Sequence, residues 1–438
     1  MAETLERFAL GEIERPGALV ARTLREEERP YPALDTDVPL VLEARRGETL
    51  DSIRHHLSRR SEAVLKLLYR HGALLLRGLP IHSTRDFEEA LFSIPAFRPM
   101  RGYFMAEVGR TRVSGSERIF HTNAVVKTGG TLLLGGFHSE NYYSSDVPAF
   151  ITFCCLEEPW MGGETGMVHM ARAYQELDDP LKAKFEGEPS CAAVWPLSAV
   201  ATIYGLDEAV AERFCREVGF EIAPMNGEKY VLLYKPNVLV HPHTRLPSLH
   251  LNVSAEIRGV DEHLRRDLSS AYTGPQWALH RTGWRHPGLG NALNALFQTA
   301  RVLHRPKVLS VLLAEQVVKP FLSGRRAAKM PSAPMPPRVG RLLDDEDTRS
   351  VADAVRRHTN VFTWRRGDVL ILDNLQMLHS GMPGFGSRRI EVAICNPLPI
   401  RWPLSSGVMH LAAAEEHESV FDQVTALAER GRSHRDMN

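Results

Sequence analysis

The sequence predicts a barrel or jelly roll of β-strands with helical additions. Short apolar runs bounded by turn residues, such as AFITFCCL and GDVLILDN, dominate both ends of the region that carries the chemistry. The 438 residues, 43% of them hydrophobic, suffice for one large core plus an insertion. That insertion announces itself between about 256 and 340, where helical periodicity and a proline-dense segment replace the strand pattern.

Taken in order, residues 1–37 are polar, proline-punctuated and unpatterned, and read as an N-terminal arm packed on the surface of a domain spanning 38–438. Ser61–Arg70 (SEAVLKLLYR) has a helical period, and the buried strand Ala73–Arg77 after it is closed by Gly78 and Pro80. Ser83 is placed to cap the next helix, whose positive end suits Asp86. From Thr131 to Leu156 the pattern is strand-like, with LLLGGF and AFITFCCL separated by turn residues. Leu206–Val218 reads as an amphipathic helix and Tyr230–Val240 as a hairpin or strand pair. Within the insertion, helical patterns lie around Glu262–Tyr272 and Ala292–Phe321, followed by MPSAPMPPRVG, whose prolines favour an extended connector. A helix over Asp345–Arg357 and strands over Val369–Asp373 and Ile390–Asn396 complete the domain.

Composition narrows the function. Lysine plus arginine and aspartate plus glutamate each total 53, and a neutral chain has no general attraction to phosphate backbones or anionic lipid. Nucleic acid and membrane are therefore not expected as partners. The five cysteines are odd in number and form no Cys-x-x-Cys pair, against a disulfide framework or a zinc knuckle. The N-terminus lacks the apolar region of a signal peptide, and apolar runs such as Val308–Leu313 are too short to span a bilayer. A cytoplasmic location is the expectation.

The chemistry concentrates in GGFHSENYY, which sets His138 and Glu140 two residues apart at the end of a strand pattern. Residues i and i+2 of a strand share a face, so imidazole and carboxylate can reach one ion. His379, after the apolar strand GDVLILDN, is the best third ligand. Two histidines and one carboxylate with open positions form the facial triad suited to iron(II) oxygen chemistry. Arg388–Arg389 follows within ten positions of His379. An arginine fork binds a carboxylate in bidentate fashion, as a dicarboxylate chelating iron at its other end requires.

These residues resemble the taurine dioxygenase/TfdA-like superfamily, most closely its clavaminate-synthase-like branch with the syringomycin-type hydroxylases. The resemblance rests on HSE (138–140), PAF (148–150), GGET (162–165), GDVLILDN (367–374), His379 and RRI (388–390), over roughly Val38–Pro397. It implies a double-stranded β-helix core and an Fe(II)/2-oxoglutarate-dependent dioxygenase that uses O2 to hydroxylate an unactivated C–H, releasing succinate and CO2. It implies that Arg389 binds the distal carboxylate of 2-oxoglutarate, with Arg388 as the alternative, and that Thr165 offers its hydroxyl to the same molecule. By the same resemblance the substrate is an amino acid or amino-acid-derived intermediate of specialised metabolism, as a small molecule or tethered to a carrier protein.

The chain departs from the branch pattern at Ser139 and Asn141, and at Glu391, where relatives are apolar. If Arg389 faces inward, period-two alternation brings Glu391 onto the same face, either to recognise a cationic substrate group or to pair with an adjacent arginine. Tyr142 and Asn252 are candidates for the substrate wall, with Tyr143 and Trp364 as further aromatics. The retained Glu140 favours hydroxylation over halogenation, while desaturation, epoxidation and ring closure stay open. Two other classes compete: a zinc hydrolase drawing on His241, His243 and His250, and a non-catalytic jelly-roll protein. The insertion either shapes access to the pocket or mediates contact with a carrier protein or a second copy in a homo-oligomer.

Overall fold

In the computed structural model, the described residues are 2–14, 18–105, 112–122, 133–225, 227–286, 288–290, 292–293, 339–386, 388–398, 404–412 and 418–436. Helix α1 (Ala2–Glu14) leads to β1 (Leu19–Arg22) and β2 (Leu40–Ala44), then α2 (Leu50–Arg59), α3 (Ser61–His71), β3 (Ala73–Arg77) and α4 (Thr84–Phe92). After β4 (Phe120–His121) come β5 (Pro148–Glu157), β6 (Met161–Gly162), β7 (Thr165–His169), α5 (Met170–Glu176) and α6 (Asp179–Glu186). A middle group follows: β8 (Ser190–Pro196), α7 (Leu197–Tyr204), α8 (Glu208–Val218), β9 (Glu221–Met225), β10 (Glu228–Lys235), β11 (Val238–Val240) and β12 (Pro247–Leu249). Helices α9 (Val253–Glu256), α10 (Val260–Ala271), α11 (Pro275–Arg285) and α12 (Asp345–Arg357) precede β13 (Thr359–Phe362), β14 (Val369–Asp373) and β15 (Met377–Gly381). The chain ends with β16 (Gly384–Phe385), β17 (Arg389–Pro397), β18 (Val408–His410) and α13 (Val420–Asp436).

Seven strands form the main sheet in the order β1-β2-β3-β14-β5-β17-β4, and β13-β7-β15 forms a smaller one. Together they give the expected jelly-roll core with helical additions. Alternation along the central strands defines two faces. Leu74, Leu76, Cys154, Val369, Ile371 and Ala393 pack outward, in one cluster with Leu57, Leu67 and Phe87 of α2–α4. Leu75, Ile151, Phe153, Cys155, Leu370, Ile390 and Val392 point inward, where they meet Met167, Phe362, Trp364 and Met377. Strands buried on both faces read as continuous apolar runs rather than alternating ones, which is why PAFITFCCLE carries no polar stripe.

Local signals account for several boundaries. The Ser83 side chain accepts from Asp86 N to start α4, and Asp344 with Asp347 forms a capping box on α12. Helix α3 stops at Gly72, whose φ of 72° is the left-handed cap geometry. Other expectations need correcting. The N-terminal stretch contains α1 and β1, and β1 pairs antiparallel with β2 at the edge of the main sheet. LLLGGF forms no strand over its described residues 133–137. Tyr230–Val240 is no hairpin, because β10 pairs with β8 and β9 while β11 pairs with β12 and β18. Helix α10 matches the helical pattern at the start of the insertion and shares a core with α12 through Val260, Leu264, Val351 and Val355. The helix expected over Ala292–Phe321 and most of the proline segment lie outside the described residues.

One buried ion cluster ties the N-terminal segment to the main sheet. Arg77 on β3 places Nη2 2.6 Å and Nε 3.1 Å from the two oxygens of Asp368, and Nη1 2.8 Å from Glu28. Burial pushes the Glu28 carboxyl up, but hydrogen bonds from Arg22, the Arg25 backbone and Arg77 outweigh it and hold the group at about 2. Removing one partner of such a cluster leaves uncompensated buried charge. Arg77→Met is therefore expected to cost about 3–5 kcal/mol in urea unfolding. A loss below about 1 kcal/mol would mean that Glu28 and Asp368 find other donors. The Glu28 share of stability is complete above its unfolded value of 4.5 and is lost as pH falls toward about 2.

Candidate metal centre

His379 lies on β15 opposite Met167 of β7, with its side chain inside the barrel. His138 lies beside it on an extended segment joined by an isolated antiparallel bridge. The two residues exchange both backbone hydrogen bonds, His138 N to His379 O at 3.1 Å and His379 N to His138 O at 2.9 Å. Directly opposed residues of an antiparallel pair share a face, and the rings stand 4.4 Å apart between centroids. Glu140 enters from a turn rather than a strand, with Oε2 3.5 Å from His379 Nε2. One ligand atom from each of His138, Glu140 and His379 lies within 4.8 Å of the others.

Surrounding groups orient these side chains. The Gly136 carbonyl sits 2.7 Å from His138 Nδ1, which suits an Nδ1–H tautomer and leaves Nε2 to face an ion. Asn374 clamps the Glu140 backbone, accepting from Glu140 N at 2.6 Å and donating to Glu140 O at 3.2 Å. The Phe153 ring lies edge-on to His379 at 5.2 Å. Two imidazoles and a buried carboxylate converging on one point fit an iron(II) ion, and equally suit zinc on ligand type alone.

The arginine expectation is corrected. Arg389 is half-exposed and turns to the outer face, its guanidinium 2.6 Å from Glu391 Oε1 and 3.1 Å from Thr84 Oγ1. Arg388 is the buried member, and a register shift in the β17–β5 pairing lies between Arg389 and Ile390. Burial pushes the Arg388 guanidinium down to about 10, with Cys155 and Glu164 acting the other way. Cys155 belongs to the inward face, so Arg388 lies toward the barrel interior. Its Nε meets no acceptor among the described residues.

Glu391 does share a face with Arg389, as period two requires, but that face is the outer one, against α4. It is fully buried and accepts from Thr84 Oγ1 at 3.0 Å. It is an ion-pair partner behind the sheet and is removed from the substrate wall. Thr165 is buried on β7, where its hydroxyl accepts the Trp364 indole N–H at 3.2 Å. Asn252 donates to the Tyr142 hydroxyl at 3.2 Å and caps α9 through Ala255 N at 2.9 Å. The alternative histidines are engaged elsewhere. His241 binds Asp373 at 3.0 Å and accepts from the backbone of His243 and Thr244, and His250 Nδ1 stands 3.3 Å from Lys235 Nζ.

Sequence reasoning missed three contributors. Asn374 and Glu164 were visible only as letters within GDVLILDN and GGET, and nothing in YVLLYK singled out Lys235. Burial pushes the Glu164 carboxyl up to about 7, against the pull of a backbone hydrogen bond and Arg388. Its Oε2 meets no partner among the described residues.

Residues 35–394 match the family described as Taurine catabolism dioxygenase TauD, TfdA family. A clavaminate synthase-like protein of Arabidopsis thaliana is 27% identical over 159 residues, or 35% of this chain and 44% of that protein. The match thus spans under half the length of that relative. Among solved structures, the fold is similar to a taurine dioxygenase from Burkholderia xenovorans, at a TM-score of 0.43 and 12% identity, covering 94% of this chain and 99% of that one. It is also similar to PvcB from Pseudomonas aeruginosa, at a TM-score of 0.41 and 14% identity, covering 87% and 92%.

The raised Glu164 carboxyl leads to an expected pH dependence of anion binding at Arg388. Neutral Glu164 leaves Arg388 available to an incoming anion, whereas ionised Glu164 repels it. Dicarboxylate affinity is expected to fall as pH rises through about 7, by up to about tenfold per pH unit, the limit for one linked proton. Calorimetric titration of 2-oxoglutarate between pH 6 and 8 reads the slope, and Glu164→Gln should flatten it. A slope that survives in Glu164→Gln belongs to another group.

Proposed function

The chain belongs to the TauD, TfdA family of taurine catabolism dioxygenases, and from that premise we propose that it is an iron(II)- and 2-oxoglutarate-dependent oxygenase. The ion sits among His138, Glu140 and His379. The observation that carries the reading is this cluster together with Arg388, a buried guanidinium whose Nε meets no acceptor among the described residues. A zinc hydrolase would give that cation no role.

Bound iron(II) supplies the activation of dioxygen, coupled to decarboxylation of 2-oxoglutarate to succinate and carbon dioxide. The protein's own residues supply the rest. Arg388 holds the distal carboxylate through its planar fork. Thr165 accepts from Trp364, so its hydroxyl hydrogen stays free to donate to the same carboxylate. Phe153 and Met167 line the interior with apolar surface and keep water from the reacting carbon. Glu140 retains its carboxylate, so hydroxylation is favoured over halogenation.

The substrate is an amino acid or amino-acid-derived molecule, free or tethered to a carrier protein. Support comes from the motifs shared with clavaminate-synthase-like sequences, and from Tyr142 and Asn252 as adjoining polar groups beside His138. Succinate release across a panel of free and carrier-bound amino acids tests this part.

The metal reading is tested by adding iron(II) and 2-oxoglutarate to the metal-free protein under anaerobic conditions and watching the visible charge-transfer band of the chelate. The band should vanish in His379→Ala and persist in Arg389→Ala. In Arg388→Leu the affinity for 2-oxoglutarate should fall by about thirtyfold or more, equivalent to at least about 2 kcal/mol. Loss with Arg389→Ala alone would return the role to Arg389. No band, with zinc retained, would support the hydrolase instead.

A further inference from the structure

We propose that Lys235 is a positioning residue of the metal centre, holding through its side-chain amine the turn that carries Glu140 and Tyr142. The inference rests on the metal reading above and extends it to a residue that touches no candidate ligand. Lys235 ends β10 and is only 3% exposed, a rare place for a lysine. Its Nζ donates to the carbonyls of Asn141, at 3.2 Å, and Tyr142, and lies 3.3 Å from His250 Nδ1. An ammonium has three donors, and three acceptors surround this one.

The turn needs such a group. Asn141 adopts a φ of 56°, the left-handed region that costs a non-glycine residue energy unless the surroundings enforce it. This turn is fixed at both ends. Asn374 clips the Glu140 backbone at the near end. At the far end, the buried Asp146 carboxylate accepts from the backbone of Phe104, Val420 and Phe421. Between these anchors the Asn141 and Tyr142 carbonyls face inward. Ser144 N satisfies one lone pair of Asn141 O at 3.0 Å, and Lys235 bridges the two peptides.

A residue kept only to fill space would be apolar here. Burial pushes the Lys235 ammonium down, and methionine would fill a similar volume without that penalty. What lysine adds is a fixed orientation of two successive peptides, hence of the residues on either side. Tyr142, the far one, reaches Asn252, and Asn252 bridges to His138. Lys235 thereby connects Glu140 and His138 from beneath. His250 extends the support, since the adjoining Leu251 carbonyl accepts from Ser139 N at 3.1 Å, between the two candidate ligands.

The test is titration of Mn(II) into the metal-free protein, followed by electron paramagnetic resonance, for wild type, Lys235→Met and Lys235→Gln. The apo unfolding midpoint is measured for each. Loss of a group that orients metal ligands typically weakens the ion by about 10–100-fold. That loss is expected in Lys235→Met, with a smaller one in Lys235→Gln, whose amide keeps one donor for a carbonyl. A merely structural lysine would lower the midpoint and leave the affinity of the folded protein unchanged. Unchanged affinity in a folded variant therefore overturns the proposal while the metal reading stands. Should Lys235→Met fail to fold, Lys235→Gln decides by the same criterion. Failure of wild type to bind Mn(II) would overturn the metal reading, and this inference with it.

Discussion

The site depends on a backbone interaction: the reciprocal pair of hydrogen bonds between His138 and His379. Side chains position metal ligands well only when the backbones beneath them are fixed. Here two histidines separated by 241 positions in the chain are made cross-strand neighbours by their own peptide groups. The pairing sets the separation of the rings and the side on which they stand. Because β15 is held by β7, and β7 in turn by β13, the smaller sheet carries this geometry as a unit. Glu140 is then the one candidate ligand whose placement depends on a turn, and polar support is dense around that turn.

A second constraint is parity. Along β17, Ile390 and Val392 face inward, Glu391 and Ala393 outward. Arg389 would fall inward by simple alternation from Glu391 only if the whole strand slipped by one residue. Such a slip would bury Glu391 in the barrel and drive Ile390 and Val392 out of the core. The apolar demand of the interior therefore decides that Arg389 faces outward. Arg388, two positions before Ile390, falls on the inward parity without any slip, and the register shift against β5 lies just after Arg389.

Much of this architecture was legible in the sequence. Buried strands such as Val369–Asp373 are unbroken apolar runs, and α4 and α12 start at side-chain caps, so local chemistry suffices to read them. The three candidate ligands were legible because imidazoles and carboxylates beside apolar strands are costly without a purpose. What escaped depends on long-range partners. The extreme N-terminal segment looked unpatterned because α1 buries Ala9 and Ile13 against elements folded later in the chain, and β1 needs β2 to become a strand. Tyr230–Val240 looked like a hairpin or strand pair, since nothing local shows that β11 pairs with β18, about 170 residues away. Arg388 and Arg389 are chemically identical in the sequence, and only the parity of their strand separates them.

The Nε of Arg388, without an acceptor among the described residues, carries an energetic argument of its own. A buried guanidinium nitrogen without an acceptor lowers the stability of the empty protein, and selection for stability alone would replace it with an apolar side chain. The nearest compensation is incomplete: Glu164 lies close enough to lower the cost, yet burial raises its carboxyl to about 7, so it is only partly ionised at neutral pH. Full pairing would satisfy both groups and close the site to anions. Partial compensation leaves a cation in a low-dielectric interior, where a carboxylate would be bound more strongly than in water. On the proposed reading, the barrel gives up some stability in the empty state to keep a cation ready for the co-substrate carboxylate.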